Sequence, residues 1–294
     1  MKLFYDKTYS PSNATFDTHA KARLVAKRAG EIPGVVLTSP RPATIEELNE
    51  IHQARYVKAV MTGTPPDLAS SNGFEWSPDL RDSVLASTGG VRDAVIEALN
   101  GDGIAGSLSS GLHHAGYAQG RGYCTVNGLA LGALAARRNG AERVLIVDFD
   151  AHCGGGTVSI IEGLPGIEQI DLSVSAYDSY EQTEHARLWM SSGESYLHDV
   201  THALESVLHP SNIDIVIYNA GVDAHERAGG LNGITTDVIR QREVQVVDWS
   251  RNHDLPMAFA LAGGYSSTAF GMEQVAGLHT LLIEAANAAC STSA

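Results

Sequence analysis

The sequence predicts an α/β fold with a mostly parallel central sheet and helices on both faces, because short β-branched apolar runs alternate with segments of helical periodicity. Three runs carry the prediction: Arg143-Val-Leu-Ile-Val-Asp148, Ile213-Asp-Ile-Val-Ile-Tyr-Asn219 and Met257-Ala-Phe-Ala-Leu-Ala-Gly263. Their nearly continuous apolar character suits strands buried on both faces. Polar and glycine residues gather where these runs end, and in parallel α/β sheets ligands bind at the carboxyl ends of the strands.

In chain order, Thr44 to Met61 has helical spacing and opens with a capping box, Thr44 before Ile45-Glu46-Glu47. Thr62 to Asp79 breaks that pattern with Pro65-Pro66, Ser70-Ser71-Asn72-Gly73 and Ser77-Pro78, and reads as a long loop able to act as a lid or rim. Helical spacing returns over Ser83 to Leu99 and Asn127 to Arg138, ahead of the first strand. Ser195 to Leu208 precedes the second strand, Thr236 to Arg251 the third, and Gln274 to Ala289 follows it. No shift in composition divides the chain, so one domain spanning 1–294 is expected.

The 294 residues are 44% hydrophobic, enough for a large core. Lys and Arg total 20 against 34 Asp and Glu, a formal charge of −14. That balance argues against nucleic acid or an anionic membrane as the main partner and favours a cationic or neutral small substrate. Three cysteines, Cys124, Cys153 and Cys290, make a disulfide framework improbable and fit a reducing compartment. Asp6 interrupts the start of the chain before any signal-like apolar run, and no apolar stretch has membrane-spanning length, so a cytoplasmic location is the expectation.

The chemistry is concentrated in a few motifs. In Asp148-Phe-Asp150-Ala-His152 the alternate residues project to one side of an extended chain. Asp150, His152 and the distant Asp223 are oxygen and nitrogen donors suited to Zn²⁺, and three protein ligands leave a fourth position open, as in catalytic zinc sites. Each carboxylate alone would more simply cap a helix or turn. Clustered at a sheet edge, they are costly without a cation. The adjacent His113 and His114, in a loop with Gly111, Gly116, Gly120 and Gly122, are candidates for the acid and base of a hydrolysis. In Gly263-Gly264-Tyr265 the tyrosine could donate to a forming oxyanion or could be a rim aromatic.

Taken together these residues resemble the histone deacetylase and acetylpolyamine amidohydrolase superfamily. The resemblance runs from about Thr44 to Tyr265 through Ala43-Thr-Ile-Glu-Glu-Leu with His52 and Tyr56, His113-His114-Ala, Gly122-Tyr123-Cys124 with Asn127, Asp148-Phe-Asp150-Ala-His152, Asn219-Ala-Gly-Val-Asp223-Ala-His225 and Gly263-Gly264-Tyr265. It implies an arginase/deacetylase fold and hydrolysis of an acetylated polyamine, an acyl-lysine or another small N-acetylated amine to acetate and free amine. It assigns Asp150, His152 and Asp223 to one Zn²⁺, Tyr265 to the oxyanion, and proton transfer to His113 and His114, with Asp148 behind His113. Tyr123, Gly122 and Gly264 would line the substrate channel, and Asp148, Asp150, His152 and Ser173 could hold K⁺. A second metal, as in the related ureohydrolases, is disfavoured because Gly154 stands where their motif has a ligand and Gly221-Val-Asp223 supplies one aspartate.

Two departures stand out. Cys153 replaces a histidine of the family pattern, and its expected role is to fill space. Gly155 replaces the carboxylate or amide that supports the second histidine. His114 is therefore expected to lack its partner and to have a lowered pKa, with a shifted pH range; the altered Cys153 to Gly156 stretch leaves a degenerate, non-catalytic member that binds a ligand or partner as the alternative. Asp67, Glu75 and Asp79 are candidates to hold the substrate amine.

Overall fold

A computed structural model of the chain describes residues 1–10, 17–101 and 103–291. Its elements follow one another as β1 (Lys2–Phe4), α1 (Asp17–Ala29), β2 (Val36–Thr38), α2 (Ile45–Ile51), α3 (Ala54–Thr62), α4 (Pro66–Ala69), α5 (Pro78–Asn100) and β3 (Ile104–Ser107). There follow α6 (Gly128–Arg138), β4 (Val144–Asp148), α7 (Gly155–Ile161), β5 (Ile167–Ser173), β6 (Ala186–Met190) and α8 (Tyr196–Glu205). The chain ends with β7 (Ile215–Gly221), α9 (Thr236–Asn252), β8 (Met257–Ala262) and α10 (Met272–Ser291).

The strands form one eight-stranded sheet in the order β2-β1-β3-β8-β7-β4-β5-β6. Every pairing is parallel, in register such as Asp148↔Asn219 and Asp148↔Asp171. Alternation along the central strands builds a core on each face. Leu145, Val147, Val216, Tyr218, Met257 and Phe259 point into one, with residues of α1, α8, α9 and α10. Val144, Ile146, Ile215, Ile217, Ala258 and Ala260 point into the other, with residues of α2, α3, α5 and α6. The predicted fold class and all three predicted strands are therefore present.

One predicted helix is broken. Thr44 to Met61 forms α2 and α3, separated at His52 and Gln53. His52 turns inward there: Nδ1 bonds the carbonyl of Gly116 at 2.9 Å and Nε2 accepts the amide of Asn127 at 3.1 Å. Burying this ring against the histidine loop outweighs continuing the helix. The Thr44 capping box is formed.

The segment Thr62 to Asp79 is a structured rim containing α4. Trp76 Nε1 donates to Val60 O at 2.7 Å, and Asn72 holds the rim to the rest through its side chain on Thr125 and its carbonyl on the Tyr123 amide. Among the described residues no helix is long and apolar enough to cross a membrane.

Beneath the site, α9 contributes the fully buried Arg242. Its Nη1 donates to the carbonyls of Phe149 (3.0 Å) and Gly221 (2.6 Å) and to the Tyr196 hydroxyl (3.0 Å), while Nη2 pairs with buried Glu243. One guanidinium thus ties together the ends of β4 and β7.

Candidate active site

Five neighbouring strands, β3, β8, β7, β4 and β5, deliver the candidate residues from their carboxyl ends. His113 and His114 follow β3, Asp148 ends β4 with Asp150 and His152 just beyond, Asp223 follows β7 and Tyr265 follows β8. The backbone approach is close because the neighbours are small: a Cβ on Gly221 would lie 2.3 Å from Asp150 Cα.

Asp150, His152 and Asp223 form a compact donor set, with potential ligand atoms within 4.8 Å of one another. His152 Nδ1 faces Asp150 Oδ1 at 3.1 Å and Asp223 Oδ2 at 3.3 Å. The Asp223 oxygen is buried without a well-formed hydrogen bond. Burial alone would lower the His152 pKa, but its bonds to the two carboxylates outweigh that and push it up to about 11. Burial and the Asp150 charge raise Asp223. Two buried carboxylates thus favour a positive charge at this place. This is the behaviour expected of residues that fit a divalent metal.

The two histidine rings lie side by side, with centroids 3.9 Å apart. His113 Nδ1 donates to Asp148 Oδ2 at 2.8 Å, and Asp148 Oδ1 accepts the Asn219 amide at 2.8 Å. Burial opposes a charge on His113, yet Asp148 and Asp150 outweigh it and push its pKa up to about 10.

His114 corrects the sequence reading. Its Nδ1 donates to Asp178 Oδ2 at 2.9 Å, so it does have a carboxylate partner, in the loop after β5. Its pKa is lowered to about 4, in the expected direction but for another reason: burial and the charge of His113 depress it, while Asp178 pulls the other way. Asp178 lies 64 residues from His114 with no motif around it, and only an acidic side chain beyond a strand end could have marked it.

Ser110, Leu112, His113, His114, Gly122, Tyr123, Cys124, Asp150, His152, Asp223, Gly263 and Tyr265 line one narrow cavity of about 30 Å³, with room for little more than a water or two. Gly263, rather than the expected Gly264, faces it; a Cβ on Gly264 would meet Val222 and Val275. Exposed Tyr123 packs on Phe74 of the rim at 5.1 Å, and Tyr177, overlooked in the sequence, stands edge-on to His114 and His152 at 4.9 and 5.9 Å. The exposed Asp67, Glu75 and Asp79 are not among the lining residues. Ser173 Oγ donates to Asp171 Oδ1 at 2.8 Å, so a cation among Asp148, Asp150, His152 and Ser173 would also face buried Asp171. Cys153 is buried, its thiol on the Ser175 carbonyl and its pKa pushed up to about 12 by burial; it fills space and is no ready nucleophile.

An eight-stranded parallel sheet between helical layers, with Asp, His and Asp donors at its carboxyl edge, defines a protein of the arginase/deacetylase fold. Residues 14–186 match the model of the histone deacetylase domain. The chain is 32% identical over 247 residues to an uncharacterized protein of Picosynechococcus sp., covering 81% of each chain. It is 27% identical to a probable deacetylase of Methanothermobacter thermautotrophicus, over 81% of this chain and 76% of that one. The crystal structure of the HDA15 HD domain superposes with a TM-score of 0.75 at 20% identity, covering 98% of this chain and 89% of the other. The chain belongs to the histone deacetylase family.

Proposed function

We propose that the protein is a zinc-dependent deacetylase that hydrolyses an N-acetyl amide, on an acetylated polyamine, an acyl-lysine or another small N-acetylated amine, to acetate and free amine. The observation that carries this reading is the convergence of Asp150, His152 and Asp223 with two carboxylate-held histidines and Tyr265 around one narrow cavity. Asp150, His152 and Asp223 would hold the ion, which supplies Lewis acidity toward the amide carbonyl and the attacking water.

The rest is the work of the chain's own side chains. His113 and His114 each engage a carboxylate through Nδ1, which leaves Nε2 of each ring for proton transfer, that of His113 lying 3.5 Å from Asp150 Oδ1. Burial and the neighbouring His113 lower the pKa of His114 and keep this ring free to accept a proton, while Asp148 and Asp150 raise that of His113, and the two rings share the proton transfer. Tyr265 donates its hydroxyl to the oxygen of the scissile carbonyl. The chain's acidity favours a cationic amine.

The test is a deacylation screen over acetyl-polyamines, acetyl- and long-acyl-lysine peptides and N-acetyl amino acids, with metal content measured on the same protein. Turnover that is lost with a chelator and restored by one zinc per chain is expected. Zinc-loaded protein silent on the whole panel, or two manganese ions per chain, would overturn the reading. Against the degenerate alternative, suggested by the altered Cys153 to Gly156 stretch, His114 keeps a carboxylate partner in Asp178.

Metal loading gives a second check. The two carboxylates raise the pKa of His152, which must be unprotonated to become a ligand. Zinc binding is therefore expected to release protons from this cluster and to weaken as pH falls. Calorimetry in buffers of different ionisation enthalpy reads both quantities. Proton-independent binding would place the ion elsewhere.

A further inference from the structure

We propose that Asp178 is the positioning residue for His114, a carboxylate relocated from the strand-end motif after β4 to the loop after β5, and that Gly155 exists to make room for it. This rests on the deacetylase reading above, and its geometry is independent of substrate identity.

The Asp178 side chain is 2% exposed and its hydrogen-bond acceptors are engaged from three directions. Oδ2 accepts His114 Nδ1 at 2.9 Å and the Gly156 amide at 3.0 Å, and Oδ1 pairs with Arg121 Nη1. A carboxylate so bound only accepts, so it fixes the proton on His114 Nδ1 and turns Nε2 toward the cavity. Arg121 holds the far oxygen from the segment that carries the channel residues Gly122 and Tyr123, and Tyr177, next to Asp178, stands on the same ring. The loop after β5 therefore sets both the orientation of His114 and part of its enclosure.

Gly155 explains why the carboxylate comes from there. Its amide donates to the Asp178 carbonyl at 3.1 Å, and a Cβ on it would lie 2.3 Å from that oxygen. A side chain at 155 and the Asp178 peptide cannot share this space. The glycine that removes a carboxylate from the motif is the same glycine that admits its replacement.

The experiment compares zinc-loaded wild type with Asp178→Ala, Asp178→Asn and Gly155→Ala, reading kcat and KM on the best acetyl substrate, zinc content, and the ¹H–¹⁵N signal of the His114 ring N–H. In the wild type, a carboxylate-bound ring proton exchanges slowly and resonates downfield of the amides. Asp178→Ala is expected to lower kcat about 10–100-fold with KM and zinc retained, and to abolish that signal. Asp178→Asn, which keeps an acceptor for the ring and for Gly156, is expected to lose less. Gly155→Ala, which touches no reacting group, is expected to reproduce the Asp178→Ala signature by displacing the loop. Should Asp178→Ala fail to fold, Asp178→Asn and Gly155→Ala decide by the same readouts. An unchanged kcat, a rate loss that merely follows zinc loss, or a His114 signal that survives Asp178→Ala would overturn the proposal. If the wild type is silent on every substrate, the deacetylase reading falls while the ring signal still decides whether Asp178 holds His114.

Discussion

Replacing Tyr265 by Phe is expected to lower kcat for amide hydrolysis about 10²–10³-fold, the loss typical of one oxyanion donor, with zinc content and fold unchanged. The backbone that presents this ring is built for it. Gly263 and Gly264 both adopt positive φ, and a Cβ on Gly263 would lie 2.2 Å from Asp223 Cγ, so only glycine lets the turn pass over the metal-site carboxylate. The Tyr265 amide then donates to Ala228 O at 2.9 Å, fixing the residue beyond the turn. Burial and the charges of Asp223 and Asp150 raise the pKa of its hydroxyl well above the ordinary tyrosine value, so it stays protonated and able to donate. Phenylalanine keeps the ring and removes only that donor. Wild-type turnover by Tyr265→Phe, measured with zinc quantified in the same samples, would reduce the tyrosine to a wall of the channel.

Arg242→Met is expected to destabilise the fold by about 3–5 kcal/mol, because it leaves Glu243 as a buried charge without its counter-ion. The Tyr218 hydroxyl would remain the carboxylate's other partner, at 2.7 Å. The carbonyls of Phe149 and Gly221 would also lose a donor, and these sit one residue before Asp150 and two before Asp223. The double variant Arg242→Met/Glu243→Gln is expected to recover part of the loss, since the unpaired charge is gone and the amide still accepts from Tyr218. Urea unfolding measures the difference. A cost below about 1 kcal/mol for the single variant would mean that neither the guanidinium's hold on the two strand ends nor its pairing with Glu243 matters to the fold.

The parts of this fold that could be read from sequence are those whose residues are uniform in environment. β4, β7 and β8 are buried on both faces and therefore continuously apolar. β5 is buried almost throughout, yet it carries Gln169, Asp171 and Ser173, whose hydrogen bonds among themselves and to Gly154 lie across the sheet. Those polar groups alternate with Ile170 and Leu172 and so break the continuous apolar run that marks the other central strands. β1 and β2 are three residues long and β3 four, too short for any pattern to rise above background. α1, polar along much of its length, was missed for a similar reason, although it buries Lys21 on the carbonyl of Gly263.

The candidate site follows the same logic. The cluster of Asp150, His152 and Asp223 and the contact of His113 with Asp148 were legible because a strand sets two-residue spacing and its end sets location. The support for His114 was not, because it reaches the ring from a loop with no internal regularity. Local patterns report what a residue's own element does. They are silent on a contact made between two loops.

The mutual exclusion between a side chain at 155 and the Asp178 peptide also bears on how such a site can be recognised. Restoring a carboxylate at 155 while the present loop stays in place would create a steric conflict, and deleting Asp178 while 155 is glycine would strand His114. Neither single step between the two arrangements keeps the histidine supported and the loop seated. A search pattern that demands an acidic residue at the position of Gly155 would discard this chain for lacking a carboxylate that it carries at Asp178.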